Sequence, residues 1–419
     1  MVETSRPPRV TGIDAARAVA LLTMALAHMH ATTLPEGGAT PIGLAVAGRA
    51  SALFAVLAGV GVALSTRWVR DRRDHAGAAA ALLVRAALLA LLGLGLEQLL
   101  DTPPAVILAQ YGLLFAVAAL LVRLPATACF AAAAAWCALS PVLSHLLRAG
   151  LPAEPGPQPD LAMLADPGRL FSTLALTGYY PVLTWITYLL VGMGIGRLDL
   201  RRTRTAVRLV VAGAVVVTAA YAASALLRGP LGIGPAGVSD VVAGTQRAGT
   251  TPPDDWGWLA VITRHSGTAF DLAHTSGSSM VVIGALVLLT GVAARWVAVP
   301  AALLAATGSA SLTLYTGHIL VTGSTGAFGT PWWVGQAAAM LVVGAVLLVT
   351  GRRGPLEALV GRLSRAARDA VVGHRSGNGS TRQDDKRSGA APSDAPNDAP
   401  NDAPNDAPND TARSASGPP

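Results

Sequence analysis

One apolar segment near the N-terminus carries side chains suited to acid–base chemistry. In GIDAARAVALLTMALAHMHA, the residues Asp14, Arg17, His28 and His30 interrupt a run that is otherwise as hydrophobic as a membrane span. An arginine at the centre of such a span costs roughly 2.5–3.5 kcal/mol on an insertion scale. At about 100° per residue, Arg17 and His28 lie within about 20° of each other around a helix and about 16 Å apart along it. We expect Asp14, Arg17 and His28 on one helix face and His30 on nearly the opposite face.

Three further apolar runs contain an arginine or a histidine. Arg49 opens GRASALFAVLAG, Arg85 lies in LLVRAALLALLGLGLEQ, and His318 lies in GSASLTLYTGHIL. Ionisable groups in a membrane bundle usually face its interior, so these residues predict a shared polar cavity. A less specific alternative stays open: the aspartate and arginine of the first segment pair at the membrane surface, and its histidine is a packing residue.

Another group of polar residues precedes the eighth apolar run. The segment VITRHSGTAFDLAHTSGSS contains His265, Asp271 and His274. A histidine there suits general-base work because its pKa lies near neutrality. The spacing matches no metal-ligand pattern, and HExxH and CxxC are absent, so we predict no metal. Cys129 and Cys137, about 12 Å apart on one helix, are predicted to be packing residues.

The elements that position these residues are predicted from composition. Of 419 residues, 52% are hydrophobic and only 13% are charged, whereas soluble domains carry about 25% charged residues. The chain is therefore predicted to be an all-α, polytopic membrane protein in contact with lipid. Its single lysine, Lys386, is not part of a G-K-[ST] motif, and no basic stripe with interleaved aromatic residues is present. An ATPase site and a nucleic-acid partner are therefore not expected.

Ten apolar runs reach the length of about 20 residues that a membrane helix needs. They lie near 14–34, 45–66, 78–99, 104–122, 126–147, 179–197, 205–227, 275–294, 298–322 and 332–350. Arginines cluster in alternate connections, such as 67–73 and 197–208, while 35–44 and 100–103 contain no arginine or lysine. By the positive-inside rule we expect both termini in the cytoplasm of a multi-pass plasma-membrane protein.

The C-terminal segment differs in composition from the rest. From residue 374 onward the chain is polar and contains the repeat A-P-N-D. Such a segment has no apolar surface to bury and does not offset its ordering entropy. We predict a membrane domain over 1–373 and a disordered cytoplasmic tail over 374–419.

Several motifs in this order resemble a known family. Arg17, ten intervening residues and His28 resemble the R-x10-H signature of membrane acyltransferases, including the acyltransferase-three proteins. The fuller pattern RVTGIDAARAVALLTMALAHMH…GRASALFAVLAGVGVAL is more similar to the bacterial heparan-alpha-glucosaminide N-acetyltransferase-like proteins. TGYYPVLTWITYLLVGMGIGR, RHSGTAFDLAHTSGSSM, GSASLTLYTGHIL and RRGPLEAL extend the resemblance over roughly residues 9–360.

The resemblance implies a bundle of ten or eleven helices that transfers an acyl group, usually acetyl, from cytoplasmic acyl-CoA (usually acetyl-CoA) to a sugar or envelope acceptor on the far side. By this resemblance, His28 corresponds to the histidine of the family's first helix, and Arg17 corresponds to the arginine of the same motif. On this basis His28 is the expected base. The other expected roles follow from the position of each residue along its span. Arg17 and Arg85, nearer the cytoplasmic side, hold CoA phosphates, and Asp14 orients Arg17. Arg49 polarises the acyl carbonyl or positions the acceptor. The acceptor site in the outer half of the membrane is lined by His265, Tyr315 and His318.

Two alternatives to the enzyme stay open. A polar path through ten helices suits a transporter or exporter of a small solute or lipid-linked molecule equally well. A membrane scaffold without catalytic activity is the other. The acceptor and the oligomeric state are not predicted, because the glycines at 192, 194 and 196 permit close packing within or between chains.

Overall fold

The apolar runs form α-helices, because a helix satisfies every backbone hydrogen bond within its own segment. The computed structural model describes residues 10–100, 104–151, 158–291 and 295–373. The predicted tail, 374–419, lies outside the described residues, so its boundary stays a prediction. The helices are α1 (Thr11–Met29), α2 (Pro41–Val46), α3 (Arg49–Ser65), α4 (Arg72–Leu99), α5 (Leu108–Leu121), α6 (Ala126–Leu147), α7 (Pro167–Ser172), α8 (Val182–Arg197), α9 (Thr203–Arg228), α10 (Asp240–Ala243), α11 (Ala269–Thr290), α12 (Arg295–Gly308), α13 (Ser311–Thr325), α14 (Thr330–Thr350) and α15 (Pro355–Val372).

Within the described residues, seven helical stretches are long and apolar enough to cross a membrane, and two bent helix pairs bring the number to nine. The chain is thus a helical membrane protein. The remaining predicted span, 104–122, contains α5, which has 14 residues. At 1.5 Å per residue α5 is about 21 Å long, shorter than a hydrocarbon core of about 30 Å. The count of ten spans and the cytoplasmic termini therefore stay predictions.

The predicted span 298–322 is divided into two helices. α12 ends at Gly308 and α13 begins at Ser311, and the two are bent by 70°. Glu357 on α15 accepts hydrogen bonds from the backbone N–H groups of Leu312 (2.6 Å) and Thr313 (3.1 Å). These are donors that a helix start leaves without an intrahelical partner. The carboxylate therefore stabilises the break, which hydropathy alone does not reveal.

Arginine side chains stabilise helix ends at one side of the bundle. Arg67 donates to the carbonyls of Gly196 (2.8 Å) and Leu198 (3.0 Å) at the end of α8. Arg197 donates to the carbonyls of Ala63 (3.2 Å) and Val122 at the ends of α3 and α5. Carbonyls in the last helical turn lack intrahelical partners, and cations bind them well. We call this side, with residues 65–73, 197–204 and 351–353, the arginine-rich end.

Close packing of α3 against α8 forms the centre of the bundle. A Cβ at Gly192 would overlap the Val56 carbonyl of α3, and one at Gly59 would overlap the Leu189 carbonyl of α8. Gly194 lies against the ring of Phe130 on α6. These glycines therefore pack within the chain, as small residues do between membrane helices.

Helix α15 was not predicted as an element. Its sequence PLEALVGRLSRAARDAVV is amphipathic and too polar for a span. It packs against α4 and contacts α13, and Val360 is buried. α15 therefore forms part of the wall at the arginine-rich end, beyond the last apolar run.

Candidate active site

Two histidines that are 290 positions apart in the sequence meet inside the bundle. His28 near the end of α1 and His318 on α13 lie with Nδ1 and Nε2, respectively, 3.0 Å apart. Their ring planes differ by 7°. The other nitrogen of His318, Nδ1, lies 2.6 Å from Oε1 of Gln336 on α14. Three helices thus contribute one side chain each to a continuous hydrogen-bonded chain.

The position of Gln336 Oε1 favours one set of protons in this chain. Oε1 lies 2.6 Å from His318 Nδ1 and accepts from its N–H, while Thr322 Oγ1 lies 3.4 Å from the same nitrogen and 3.3 Å from Gln336 Nε2. The neutral His318 then has an unprotonated Nε2, which accepts from His28 Nδ1–H. His28 is left with an unprotonated Nε2. An imidazole held in this form is ready to accept a proton.

The end of α1 is fixed against α14 by two hydrogen bonds. Trp333 Nε1 donates to the Leu22 carbonyl (3.2 Å), and the Gly329 backbone N–H donates to the Met29 carbonyl (2.8 Å). His30 lies outside the chain of histidines: its Nδ1 is 3.2 Å from the Leu26 carbonyl and its Nε2 is 3.1 Å from Thr330 Oγ1. The structure therefore separates His28 from His30, as the helical phase predicted.

A first cavity of about 440 Å³ lies at the arginine-rich end. Arg17, Arg85 and Tyr315 are among its lining residues. Arg17 Nη1 donates to Asp14 Oδ1 at 2.8 Å, and the guanidinium of Arg85 lies 4.8 Å from the centre of the Phe115 ring. An adjoining cavity of about 310 Å³ shares Arg17 and is also lined by Asp14. Both predicted phosphate-binding arginines therefore face one space.

A second, smaller cavity of about 180 Å³ lies at the opposite end and is lined by His28 and His265. His265 belongs to the loop before α11 and is the one described non-glycine residue with a left-handed backbone, at φ 54°. Its ring centre lies 4.7 Å from that of Tyr179 and 5.8 Å from that of Tyr180. Burial, with a contribution from Arg264, lowers the pKa of His265 to about 3. The cavity therefore contains two imidazoles, of which His265 is neutral near pH 7.

One helical turn separates the two cavities on two helices. On α3, Ser51 lines the second cavity and Phe54 lines the first. On α13, Tyr315 lines the first cavity, and His318 one turn later contacts His28. The rings of Phe54 and Tyr315 lie 6.5 Å apart at the boundary. His28 is thus close to the wall between the two spaces.

Three predicted site residues lie elsewhere than expected. Tyr315 precedes His318 by almost one turn of α13, so it lines the first cavity and not the second. Its hydroxyl accepts a hydrogen bond from the Ile107 N–H (3.3 Å). His318 is a partner of His28. Arg49 does not line either cavity, because its guanidinium points toward α9 and α11, where Nη2 lies 3.2 Å from the Tyr221 hydroxyl and 3.0 Å from His274 Nε2.

Gln336 is the residue that the sequence analysis missed. A single amide inside the apolar run TPWWVGQAAAMLVVGAVLLVT was a usable signal, because a polar group in a span tends to face the bundle interior. Its partner is not predictable from that signal.

The described residues contain no group of three or more His, Cys, Asp or Glu side chains placed to hold a metal ion.

The helices and these cavities define an integral membrane protein with a buried histidine centre. Residues 9–225, just over half of the chain, match the family described as heparan-alpha-glucosaminide N-acetyltransferase, catalytic. The chain belongs to this family, which confirms the resemblance found in the sequence. The match contains Asp14, Arg17, His28 and Arg85, while His318 and Gln336 lie beyond it. Comparison with curated proteins gave no match.

Proposed function

We propose that this protein is a multi-pass acetyltransferase of the plasma membrane that transfers acetyl from cytoplasmic acetyl-CoA to an extracytoplasmic sugar or envelope acceptor. The observation that carries the proposal is the placement of His28. Its Nδ1 is hydrogen-bonded to His318, which leaves its Nε2 unprotonated in the tautomer that Gln336 Oε1 favours, and it lies at the wall between an arginine-lined cavity and a smaller one. Family membership supports acetyl transfer as the reaction class.

The first cavity suits the donor. Guanidinium groups bind phosphates through paired, charge-assisted hydrogen bonds, and Arg17 and Arg85 both line this space. Its volume of about 440 Å³ falls within the roughly 300–1,000 Å³ of small-molecule sites. We assign the arginines to the phosphates of CoA and the part of the cavity lined by Phe54 to the arm that carries the thioester. Asp14 then holds Arg17 in place.

The proposed reaction uses His28 as the general base. The acceptor attacks the thioester carbon while His28 Nε2 takes its proton, so a C–O or C–N bond forms as the C–S bond breaks. The CoA thiolate leaves and receives that proton from the imidazolium. During the reaction, His318 Nε2 accepts a hydrogen bond from His28 Nδ1–H and stabilises the transient positive charge, with Gln336 orienting His318.

The carrier alternative has less support. Glu97 is one carboxylate on a membrane helix that a proton-coupled carrier could use, and its Oε1 accepts a hydrogen bond from the Val106 backbone N–H at 2.7 Å. This contact fixes the segment that leads into α5. Glu97 is therefore assigned a structural role.

The test uses purified protein and acetyl-CoA labelled on the acetyl group, with free CoA and protein-bound label measured. Wild type and His30→Ala are expected to release CoA, and His28→Ala is not. Label retained on His28 would indicate an acetyl-imidazole and a two-step reaction. Equal inactivity of all three proteins, together with solute flux into sealed vesicles, would replace the enzyme with a carrier.

A further inference from the structure

Three aromatic rings meet at the inner end of the first cavity. The ring centre of Phe54 on α3 lies 6.4 Å from that of Tyr111 on α5 and 6.5 Å from that of Tyr315 on α13. All three side chains line the first cavity, and none of the three lines the second. We call them the aromatic wall. Ser51, almost one helical turn before Phe54, lines the second cavity, so the aromatic wall divides the two spaces.

The arginines of the first cavity lie away from this wall. A Cβ at Gly61 would lie 3.0 Å from Arg17 Nη2, so Gly61 marks the level of that guanidinium on α3. Seven residues separate Gly61 from Phe54, which corresponds to about 10 Å along the helix. The guanidinium of Arg85 lies over the ring of Phe115, about one turn of α5 beyond the tyrosine of the wall. A donor whose phosphates bind these arginines therefore points its opposite end, the acyl group, at the aromatic wall.

The two tyrosines of the wall are more tightly held than Phe54. Tyr111 is 4% exposed and Tyr315 is 2% exposed, and the Tyr315 hydroxyl accepts a hydrogen bond from the Ile107 N–H at 3.3 Å. Rings buried in a close-packed interior have little room to shift. Phe54 is only half-buried, and its side chain has no polar atom to anchor it. The Phe54 ring therefore sets how far a donor reaches into the first cavity.

We propose that Phe54 determines the acyl specificity of the donor site: its ring leaves room for acetyl, and a longer acyl chain meets the aromatic wall. This inference rests on the proposed function, because it places acyl-CoA in the first cavity. Phe54 has no group that takes a proton or binds charge, so it acts through the space that it occupies. A difference of one methylene in an apolar pocket changes kcat/KM by roughly 10- to 200-fold.

The first experiment measures kcat/KM for acetyl-, propionyl- and butyryl-CoA from the release of free CoA. In wild type, we expect kcat/KM to fall at least tenfold from acetyl-CoA to butyryl-CoA. Phe54→Ala is expected to raise the butyryl-to-acetyl ratio at least tenfold, and Phe54→Leu to give an intermediate ratio. The matched control is Phe115→Ala, which removes a phenyl ring from the arginine side of the same cavity. It is expected to change KM for all three donors alike and to leave the ratio unchanged.

A second experiment measures the fit of the donor without the reaction. The thioethers S-ethyl-CoA and S-butyl-CoA have the chain lengths of acetyl-CoA and butyryl-CoA but carry no transferable acyl group. We expect wild type to bind S-ethyl-CoA at least tenfold more tightly than S-butyl-CoA, and Phe54→Ala to bind the two about equally. Size-exclusion chromatography verifies folding, and Phe54→Leu replaces Phe54→Ala in both experiments if the alanine variant does not fold.

The outcomes separate this inference from the proposed function. An unchanged butyryl-to-acetyl ratio in a folded Phe54 variant, or equal use of both donors by wild type, overturns the role of Phe54 and leaves the acyltransferase standing. The expected thioether preference without release of CoA from any donor supports Phe54 as the limit of the cavity and counts against the acyltransferase. If neither thioether binds to wild type, acyl-CoA does not occupy the first cavity, and the role of Phe54 is overturned as well.

Discussion

Replacement of Gln336 tests the hydrogen-bonded histidine chain most specifically. In Gln336→Met the His318 Nδ1–H loses its acceptor at 2.6 Å and keeps only Thr322 Oγ1, 3.4 Å away. His318 is only 2% exposed, so water does not replace the amide oxygen. A buried donor without a good partner costs about 1–3 kcal/mol, which biases the tautomers of His318 toward Nε2–H by a factor of roughly 5 to 150. In that tautomer His318 donates to His28 Nδ1, and the His28 proton moves to Nε2. His28 Nε2 then no longer accepts a proton, so kcat falls with the fraction of protein in the active tautomer.

The assay is acetyl-CoA turnover, with folding verified by size-exclusion chromatography. Gln336→Glu keeps an oxygen acceptor and is expected to recover most of the activity. Thr330→Val, on the same helix, removes a hydrogen bond to His30 and is expected to change kcat less than twofold. Nitrogen-15 NMR of histidine-labelled protein in lipid should show His28 protonated at Nδ1 in wild type and not in Gln336→Met. A folded Gln336→Met with wild-type kcat, or with an unchanged His28 spectrum, would refute the reasoning.

Three further predictions concern the donor site, the helix break and pH. Arg85→Gln removes a charge-assisted phosphate contact worth about 1.5–3 kcal/mol, so steady-state kinetics should show a KM for acetyl-CoA roughly 10-fold higher or more. The control is Arg123→Gln at an exposed position, which should leave this KM unchanged. Glu357→Ala removes the acceptor for the first turn of α13 and should lower stability by about 1–3 kcal/mol, seen as a lower thermal midpoint; an unchanged midpoint would exclude the capping role. Burial lowers the pKa of His265 to about 3, below its ordinary value of 6.5, so the folded protein binds fewer protons. The contribution of neutral His265 to stability is complete above about pH 6.5 and falls as the pH drops toward 3. In His265→Gln the thermal midpoint should therefore fall less between pH 7 and pH 5 than in wild type. An unchanged dependence of the midpoint on pH would contradict a buried, neutral His265.

Local features of the sequence predicted α1 and the separation of its two histidines. Helical periodicity depends on the chain geometry alone, so the phase of Arg17 and His28 follows directly from their spacing along the chain. The arginines at helix ends were also visible, but their role was not. Arg67 and Arg197 bind carbonyls of neighbouring helices, and those contacts depend on which helices pack together.

Long-range features required the structure. His28 and His318 are 290 positions apart, and no periodicity states which helix faces α1. Gly308, at the end of α12, lies against the Asp14 backbone of α1, where a Cβ would overlap the carbonyl, and this contact depends on which helices pack together. The sequence placed Tyr315 in the outer half of the membrane with His318, because it does not show where the boundary between the two cavities crosses α13. Helix α15 showed a usable signal in its alternating apolar and arginine residues, but hydropathy searches for spans pass over it.

Transfer across the bilayer is the central claim and can be measured directly. The protein is reconstituted into sealed proteoliposomes with methyl glucosaminide and methyl N-acetylglucosaminide inside, and acetyl-labelled acetyl-CoA is added outside. The account predicts a labelled acetylated glycoside inside the vesicles for wild type and His30→Ala, none for His28→Ala, and no labelled acetyl-CoA inside. Acetylated glycoside formed only when the acceptor is on the same side as acetyl-CoA, or intact acetyl-CoA accumulating inside, would contradict it.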